Sequence, residues 1–392
     1  MRVAILHDYL NQLGGAERVL QVLLDMFPGA DLYTLFYDAV RTEGRFARQV
    51  TKTSALDIPF IRDRHRAFIP LLPWAARSVS SPTRYDLVIS STASYAKGFR
   101  VDGLCHVAYC YTPLRYAWER EYVDAIPFLP GFAKRLIAPI VARSLQKWDF
   151  AAAQRPNLFI AISEHIAGKV RAYYRRDPIV IYPPVDTEMF FPEPVGLTRT
   201  TIQSGGERGS YFLMVGRLLH YKRFDLGIQA AVRLRRPVRI VGDGPDGSRL
   251  RRLVNSPFVE FIPRVTDQEL RLLYSNATAL VFPQVEDFGL VAAEALACGT
   301  PVVAYAKGGG GEIVEDGVTG VLVADQTVDA FTDGMRRVGA MTFDRLTLRA
   351  ATERFSTKRF QSEFLGAIQS AGVPLERSVA RTIKRVTYAR RR

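Results

Sequence analysis

Residues 279–303, ALVFPQVEDFGLVAAEALACGTPVV, decide the fold of this chain. The apolar run at residues 279–282 predicts a short buried strand, which a proline ends. Residues 288–297 predict a helix, Gly299 ends it, and a second β-branched strand opens at Val302. A strand, a helix and another strand in succession indicate a parallel sheet with right-handed crossovers.

Two glutamates mark the ends of the segment between these strands. Glu286 lies in the predicted strand-to-helix loop, at the edge of the sheet where open α/β folds bind ligands. Glu294 lies in the second turn of the predicted helix, at most about 12 Å away along the helix axis, which is about the reach of a folded nucleotide sugar. One carboxylate would accept hydrogen bonds from a sugar and the other from a ribose. The alternative is a loop acid and an unrelated acid on a helix surface.

A run of four glycines follows, at residues 308–311, before a predicted helix at residues 312–315. Such a loop exposes N–H groups at a helix N-terminus, which suits a phosphate or a sugar hydroxyl. With these features residues 282–320 resemble the retaining glycosyltransferases of family 4, whose signature is a glutamate, seven residues and a second glutamate. The resemblance implies that Glu286 contacts the donor sugar and that Glu294 holds the ribose. It also implies donor contacts from Asp287, Phe288, Gly289 and Leu290.

A basic pair follows an earlier predicted strand. Residues 211–215 predict that strand, Gly216 a turn, and residues 224–233 an amphipathic helix, so Arg217 and Lys222 flank a loop at the same sheet edge. An arginine fork and a lysine charge stabilise the negative charge that grows on a departing diphosphate. Similarity to the family gives both residues this role; without the glutamates, two exposed basic residues would be the simpler interpretation.

Two more glycine pairs resemble family positions. Gly242 and Gly244 follow a predicted strand and, in relatives, the turn lies near the nucleotide base, although such a turn is common. Gly14 and Gly15 follow a first predicted strand, open a helix, and resemble the glycine pair that faces the donor phosphates and the acceptor. The pattern there is not Gly-x-Gly-x-x-Gly, which counts against a nicotinamide enzyme.

The string HVAYCYTPLRYAW, residues 106–118, resembles the bacterial O-antigen mannosyltransferase branch of the family. His-Thr-Pro-x-Arg-Tyr-Ala-Trp is typical there, and Tyr111 stands where the histidine is expected, which puts a histidine-assisted step in doubt. His106 does not replace it, because five residues along a strand place it on the opposite face, where we expect a packed core residue.

The same string supplies four acceptor-side candidates, of which Tyr111 is the first. Arg115, Tyr116 and Trp118 would line an acceptor cleft with aromatic faces for sugar rings, and interdomain packing is the alternative. Ser163 matches a common family position at a strand end.

The length of 392 residues, 48% of them hydrophobic, suffices for two cores. We expect an acceptor-binding domain at residues 1–190, a nucleotide-sugar-binding domain at 208–365, and a basic helix or tail at 366–392. The linker-like segment 183–209 lies between the domains. The resemblance implies an α/β fold of the GT-B type, with two Rossmann-like, doubly wound parallel-sheet domains facing a cleft and a C-terminal helix, from about residue 355, that crosses back.

Several classes of protein are disfavoured. Three cysteines form no metal-binding or disulfide framework, and no signal peptide or bilayer-spanning stretch is visible, so we expect a cytoplasmic protein. Asp-x-Asp is absent, and we expect neither a metal nor another cofactor. Nothing in the sequence indicates an oligomeric state.

The net charge of +14 needs its own explanation. Basic residues crowd segments 62–77, 134–147 and 377–392, interleaved with aromatic and aliphatic residues. This pattern favours peripheral docking on the anionic inner membrane surface, where lipid-linked glycans reside, or equally a solvated basic face. No nucleic-acid-binding motif occurs.

The sequence therefore predicts a retaining hexosyltransferase that acts on a glycan or lipid-linked glycan in bacterial surface polysaccharide synthesis. Resemblance favours GDP-mannose as the donor, with a UDP-hexose as the alternative. The competing hypothesis is a basic membrane- or polymer-binding protein that keeps a degenerate transferase fold.

Overall fold

The computed structural model describes residues 1–119, 131–193 and 211–373, without the side chains of residues 131–136. The chain separates into two compact units. The first unit holds residues 1–181 and the C-terminal residues from Gln361, and the second unit holds Tyr182–Phe360. The predicted basic tail at 377–392 and most of the predicted linker lie outside the described residues.

In its described part, the first unit contains a seven-stranded parallel sheet. The strands are β1 (Val3–Leu10), β2 (Asp31–Tyr37), β3 (Val50–Lys52), β4 (Tyr85–Thr92), β5 (Gly103–Cys110), β6 (Leu158–Ala161) and β7 (Ile179–Val180). Their order is β3-β2-β1-β4-β5-β6-β7. Seven of the eight residues of β1 are buried, as in a strand covered on both faces.

Helices connect these strands. They are α1 (Gly15–Met26), α2 (Pro59–Asp63), α3 (Leu72–Ser78), α4 (Arg115–Trp118), α5 (Gly131–Ala153) and α6 (Glu164–Tyr174), with 3-10 turns at His65–Leu71 and Ala96–Gly98. The apolar stripe of α1 is buried through Val19, Leu20, Leu23 and Leu24, spacings that place these residues on one helix face.

The second unit, as far as it is described, contains a six-stranded parallel sheet. Its strands are β8 (Phe212–Val215), β9 (Val238–Val241), β10 (Val259–Ile262), β11 (Ala279–Phe282), β12 (Val302–Tyr305) and β13 (Gly320–Val323). The order is β10-β9-β8-β11-β12-β13, so the direction of winding reverses between β8 and β11. Ligands of such sheets bind at the carboxyl ends of the strands at this reversal.

The helices of the second unit are α7 (Phe224–Arg233), α8 (Gly247–Leu253), α9 (Asp267–Asn276), α10 (Leu290–Ala297), α11 (Gly309–Ile313), α12 (Val328–Ala340) and α13 (Arg345–Ala350), with 3-10 turns at His220–Lys222 and Glu353–Phe355. The last helix, α14 (Thr357–Ser370), contains the point at which the chain passes back to the first unit. The Phe364 ring of α14 packs edge-on against Tyr109 of β5, 5.9 Å between centroids.

The predicted α/β fold class, with two Rossmann-like parallel-sheet domains, is confirmed, and two elements, α7 and β11, have the predicted bounds. The helix predicted at residues 312–315 is wrong: α11 begins at Gly309 and ends at Ile313. The glycines themselves form its first turn, because Gly309 donates its N–H to the Glu286 carbonyl oxygen at 2.8 Å and so folds back against the preceding loop. Among the described residues, no helix has the length and apolar character to cross a bilayer.

Candidate active site

A glutamate and a lysine side chain meet at the carboxyl ends of β8 and β11, where the winding of the second sheet reverses. Lys222 ends the 3-10 turn after β8, and Glu286 lies in the loop after β11. Lys222 Nζ and Glu286 Oε1 are 2.8 Å apart, and the side chains are 16% and 21% exposed. Glu286 Oε1 is buried and accepts no hydrogen bond of good geometry, so the attraction is mainly that of the two charges. When a ligand binds, Lys222 can pair with an anionic phosphate, and Glu286 can accept a hydrogen bond from a sugar hydroxyl.

The glycine run after β12 packs against the loop that carries Glu286. A Cβ atom on Gly309 would lie 1.7 Å from the Phe288 carbonyl oxygen, and one on Gly308 would lie 2.7 Å from the Glu286 carbonyl oxygen. Backbone therefore packs on backbone, at distances that no side chain permits. The loop that carries Glu286 is fixed by this contact and by the hydrogen bond from Gly309.

A second close contact joins the loops after β8 and β9. Gly242 has φ +129°, and a Cβ atom there would lie 2.2 Å from the Gly216 carbonyl oxygen. One on Gly244 would lie 2.2 Å from the Leu218 carbonyl oxygen. Leu218 also donates its N–H to the Asp243 carbonyl oxygen at 2.9 Å. These contacts hold the turn that leads to Lys222; a Cβ on Gly216 would be 3.3 Å from Lys222 Nζ.

The predicted donor residues around Glu286 divide into two groups. Asp287, Gly289 and Leu290 are partly buried at the loop and at the start of α10. Phe288 is buried, and its ring packs 5.7 Å from Tyr182 and 5.2 Å from Phe355. The Phe288 ring is therefore part of the packing that supports the loop.

The other predicted charged residues lie on the same elements. Glu294 is buried in α10, and its Oε2 accepts a hydrogen bond from the hydroxyl of Tyr274 in α9 at 3.1 Å. Arg217 follows Gly216 with its side chain exposed. The structure thus brings Lys222 and Glu286 into contact, and holds Glu294 on the helix that follows the Glu286 loop. Tyr274 is missing from the sequence predictions because nothing local marks it as the partner of an acid twenty residues away.

The first unit places Gly14 and Gly15 at the N-terminus of α1. The Gly14 N–H donates to Oε2 of Glu17 at 2.7 Å, so the buried Glu17 closes the first turn of the helix. Asp8, at 4% exposure, accepts hydrogen bonds from the N–H groups of Ala93, Tyr95 and Ala96 in the segment after β4. Neither Asp8 nor Glu17 was among the site residues predicted from the sequence.

The prediction that His106 and Tyr111 lie on opposite faces of the sheet agrees with their partners. The His106 ring is bonded to Ser90 Oγ at 2.6 Å, whereas the Tyr111 hydroxyl is bonded to Ser91 Oγ at 2.8 Å. Since successive strand residues point to opposite faces, the two serines report the two faces of β4. Burial, with a smaller effect of Arg155, lowers the pKa of His106 to about 3, so the ring is a neutral core residue.

Of the acceptor-side candidates, Trp118 has the clearest position. Its indole N–H donates to Asp149 Oδ2 at 2.8 Å, and its ring stacks on Tyr173 at 4.9 Å. Asp149 also forms a fully buried ion pair with Lys97, with 2.6 Å between Nζ and Oδ1. Trp118 therefore packs inside the first unit.

The remaining acceptor-side candidates are buried or partly buried. Arg115 and Tyr116 are partly buried in α4. Ser163 is buried and accepts a hydrogen bond from the Ile166 N–H at 3.1 Å, which makes it the N-cap of α6. An acceptor role for Arg115 and Tyr116 stays a prediction.

The described residues contain no group of three or more His, Cys, Asp or Glu side chains arranged to hold a metal ion. All three cysteines, Cys105, Cys110 and Cys298, are buried.

Several curated proteins of similar sequence are named D-inositol 3-phosphate glycosyltransferase. The D-inositol 3-phosphate glycosyltransferase of Frankia alni is 38% identical over 203 residues, which are 46% of this chain and 49% of that protein. The protein of the same name from Mycobacterium marinum is 35% identical over 208 residues, 49% of this chain and 44% of that protein. The chain thus spans about half the length of the curated relatives it matches.

Solved structures match nearly the whole chain. HepE of Anabaena, solved in complex with UDP, superposes with a TM-score of 0.68 at 19% identity, over 94% of this chain and 100% of that chain. Sucrose-phosphate synthase from Thermosynechococcus elongatus gives 0.67 at 19% identity, over 94% and 99%. At this identity the likeness concerns the fold.

Two family models match consecutive parts of the chain. The model described as Glycosyltransferase Family 4 matches residues 13–189, and the model described as Glycosyl transferases group 1 matches residues 202–353. The second match contains Lys222, Glu286 and Glu294. The chain belongs to the family 4 glycosyltransferases.

Proposed function

We propose that this protein is a retaining glycosyltransferase that transfers a hexose from a nucleotide sugar to a glycan or lipid-linked glycan in bacterial surface polysaccharide synthesis. The observation that carries the proposal is the contact of 2.8 Å between Lys222 and Glu286 at the winding reversal of the second sheet. Family membership and the name of the curated relatives support the glycosyl transfer in this proposal.

The ion pair has a direct chemical use. A donor diphosphate would take Lys222 as its cation, and the released Glu286 carboxylate would accept a hydrogen bond from the sugar. Arg217, one residue after Gly216, would add a second cation. Negative charge on the leaving phosphate grows as the glycosidic bond breaks, so fixed cations stabilise the transition state more than the ground state.

Retention would follow from attack on the face that the diphosphate leaves. The bond between the anomeric carbon and the phosphate oxygen breaks, and the acceptor oxygen bonds to that carbon on the same face. The acceptor proton passes to the leaving phosphate. In this scheme Lys222 and Arg217 hold the phosphate in place to receive it, and Glu294 holds the ribose.

The donor has two candidates. GDP-mannose is proposed from the Arg-Tyr-Ala-Trp string at residues 115–118, and a UDP-hexose is the alternative, since HepE has been solved with UDP-glucose. Incubation with GDP-mannose, UDP-glucose and UDP-galactose, with D-inositol 3-phosphate and lipid-linked glycans as acceptors, separates the two. Conversion of GDP-mannose in preference to both UDP-sugars supports the first, and the opposite preference supports the alternative.

The chain offers a matched control for the site. Lys358 and Glu188 form another lysine–glutamate ion pair in the same unit, 3.5 Å apart, with side chains 58% and 52% exposed. We expect Glu286→Gln to lower kcat by about a hundredfold, in the range for the loss of one preorganised transition-state contact. Glu188→Gln should leave kcat unchanged. Equal activity of the two variants would contradict the assignment, and a wild type that turns over no donor would favour a degenerate binding protein.

We also propose that the protein works in the cytoplasm at the inner membrane surface. Within residues 58–77 the first unit exposes four apolar side chains, Ile58, Phe60, Leu71 and Trp74, together with the basic residues Arg64, Arg66 and Arg77. Trp74 is 57% exposed and Phe60 59% exposed, and Arg64 lies over the Phe60 ring at 4.7 Å. Apolar residues among cations suit an anionic lipid surface.

Co-sedimentation with vesicles tests this location. The wild type should bind vesicles containing phosphatidylglycerol at moderate salt, and a Phe60→Ser, Trp74→Ser double variant should bind less. Leu346→Ser, which removes an apolar residue 73% exposed on the second unit, is the control and should bind as the wild type does. Failure of the wild type to bind anionic vesicles would contradict the membrane proposal and leave the transferase proposal intact.

A further inference from the structure

Tyr111, which stands where the resemblance expects a histidine, is joined by hydrogen bonds to two other strands of the first sheet. Its hydroxyl lies 2.8 Å from Ser91 Oγ in β4, and Ser91 Oγ lies 3.0 Å from His7 Nδ1 in β1. His7 and Ser91 are 2% and 0% exposed, and Tyr111 is 9% exposed. The three side chains form a buried path of polar atoms from Tyr111, directly after β5, through Ser91 of β4 to His7 of β1.

Both ends of this path of polar side chains contact the first turn of α1. The Tyr111 hydroxyl donates to the Ala16 carbonyl oxygen at 3.2 Å. At the other end, His7 Nε2 lies 3.7 Å from Glu17 Oε1, and the second oxygen of Glu17 accepts the Gly14 N–H at 2.7 Å. We name His7, Ala16, Glu17, Ser91 and Tyr111 the polar ring, since the path leaves α1 at one residue and returns to it at the next.

The direction of the hydrogen bonds follows from counting protons. A carbonyl oxygen only accepts, so the hydrogen of Tyr111 goes to Ala16. The Tyr111 oxygen must then accept from Ser91, and Ser91 must accept from the Nδ1–H of His7, whereas the 3.7 Å contact of His7 Nε2 with Glu17 is longer than a hydrogen bond. Burial raises the pKa of Tyr111 above its ordinary value, which keeps that hydroxyl protonated as the count requires. Each member has one defined role, so the loss of any hydroxyl breaks the chain.

We infer that Tyr111 is a positioning residue that, through the polar ring, fixes the Gly14–Gly15 turn at the N-terminus of α1 against strands β1, β4 and β5. This inference rests on the proposed function and on the family resemblance, which implies that the turn faces the donor phosphates and the acceptor. A phenol reaches the Ala16 carbonyl from the end of β5 and still meets Ser91. The Tyr111 hydroxyl therefore holds the turn in place by bonding to both the Ala16 carbonyl oxygen and Ser91.

Removal of the Tyr111 hydroxyl is the direct test. Tyr111→Phe keeps the ring and its edge contact with Tyr109, and leaves Ser91 and the Ala16 carbonyl without this partner. We expect amide hydrogen exchange at residues 14–18 to rise about tenfold, the usual size of one lost buried hydrogen bond. We also expect the KM for the donor to rise about tenfold with kcat changed less than twofold, because the hydroxyl orders a binding turn and touches no reacting atom.

Two further variants separate positioning from general destabilisation. Ser91→Ala breaks the ring at another point and should raise exchange at residues 14–18 and the donor KM in the same direction. Tyr33→Phe removes a buried hydroxyl bonded to Tyr85 at 2.7 Å; Tyr33 is paired with Leu6, so its side chain lies on the face of the sheet opposite to His7 and Ser91, and the variant should change neither quantity. A response of Tyr33→Phe equal to that of Tyr111→Phe would overturn the inference.

The two readouts also keep this inference apart from the proposed function. Unchanged exchange at residues 14–18 in both Tyr111→Phe and Ser91→Ala would overturn the polar ring as a clamp, whatever the activity. Increased exchange with an unchanged donor KM would overturn its part in the reaction. A wild type that converts no donor would defeat the proposed function and, with it, the catalytic use of the turn, while the exchange data would still decide whether the clamp exists.

Discussion

The two units hold the loops at the carboxyl edges of their sheets by different means. In the second unit, glycines bring backbone against backbone, as Gly309 does on the Phe288 carbonyl and Gly242 on the Gly216 carbonyl. In the first unit, buried polar side chains tie the loops together; Asp8 alone accepts three N–H groups from the segment after β4. The glycine contacts leave no room for a side chain, whereas the polar contacts are made by side chains.

This difference has consequences for substitution. Glycine contacts fail when any atom is added, because the neighbouring carbonyl oxygen has no room to move away. Polar anchors fail when an atom is removed, because buried donors then lose their acceptor. Variants of each kind should therefore damage one unit and leave the anchoring of the other unchanged.

The largest effect is expected from Asp8→Ala in the first unit. The variant leaves three N–H groups without their acceptor, those of the buried Tyr95 and Ala96 and of the partly buried Ala93. At about 1–3 kcal/mol for each unsatisfied group, the free energy of unfolding should fall by about 4 kcal/mol, measured by urea denaturation. Asp102→Ala is the control, since its side chain is 83% exposed and paired to Arg155 at the surface; it should change stability by less than about 0.5 kcal/mol. A loss for Asp8→Ala as small as that of the control would contradict polar anchoring.

Gly309→Ala should have the next largest effect, in the second unit. Its added Cβ atom would meet the Phe288 carbonyl oxygen at 1.7 Å, and the Glu286 loop must shift. We expect a loss of about 3 kcal/mol, the upper range for overpacking, and a loss of donor binding. Gly339→Ala in α12, with no atom within 4 Å of the new Cβ, should instead be neutral or stabilise by up to about 1 kcal/mol. Equal effects of the two substitutions would show that the close contact does not matter.

The smallest effect concerns His106, on the other face of β4 from the polar ring. The unfolded imidazole takes up a proton below about pH 6.5, whereas the folded group, with its pKa lowered to about 3, does not. Its contribution to stability is therefore complete above pH 6.5 and is lost as the pH falls toward 3. At pH 5 the loss relative to pH 7.5 should be about 2 kcal/mol.

Denaturation at both pH values measures this contribution. His106→Gln should lose about 2 kcal/mol less stability than the wild type between pH 7.5 and pH 5, whatever its stability at pH 7.5. Parallel losses in the two proteins would show that His106 takes up its proton equally in the folded and unfolded states.

The contrast also explains what could be predicted from the sequence. Strand–helix alternation and the edge rule predicted β11, α7 and the loops of Lys222 and Glu286, because these signals are local. The glycine helix α11 was misplaced, since its first turn depends on a hydrogen bond to a loop more than twenty residues earlier.

The first unit was harder to predict for the same reason. The partner of Trp118 is Asp149, thirty-one residues later, and the partners of Tyr111 are on β4 and α1. Serine, histidine and tyrosine on buried strands carry no local pattern that states which of them will meet. These pairings are set by the tertiary fold and not by neighbouring residues in the sequence.

Titration calorimetry with GDP-mannose and UDP-glucose shows whether the donor diphosphate binds at Lys222. We expect Lys222→Met to weaken binding of the preferred donor by at least about tenfold, the cost of one lost charge-assisted hydrogen bond. Lys358→Met, from the exposed ion pair, should bind as the wild type does. Equal affinity of the Lys222 variant and the wild type for every nucleotide sugar that binds would contradict a diphosphate site at Lys222.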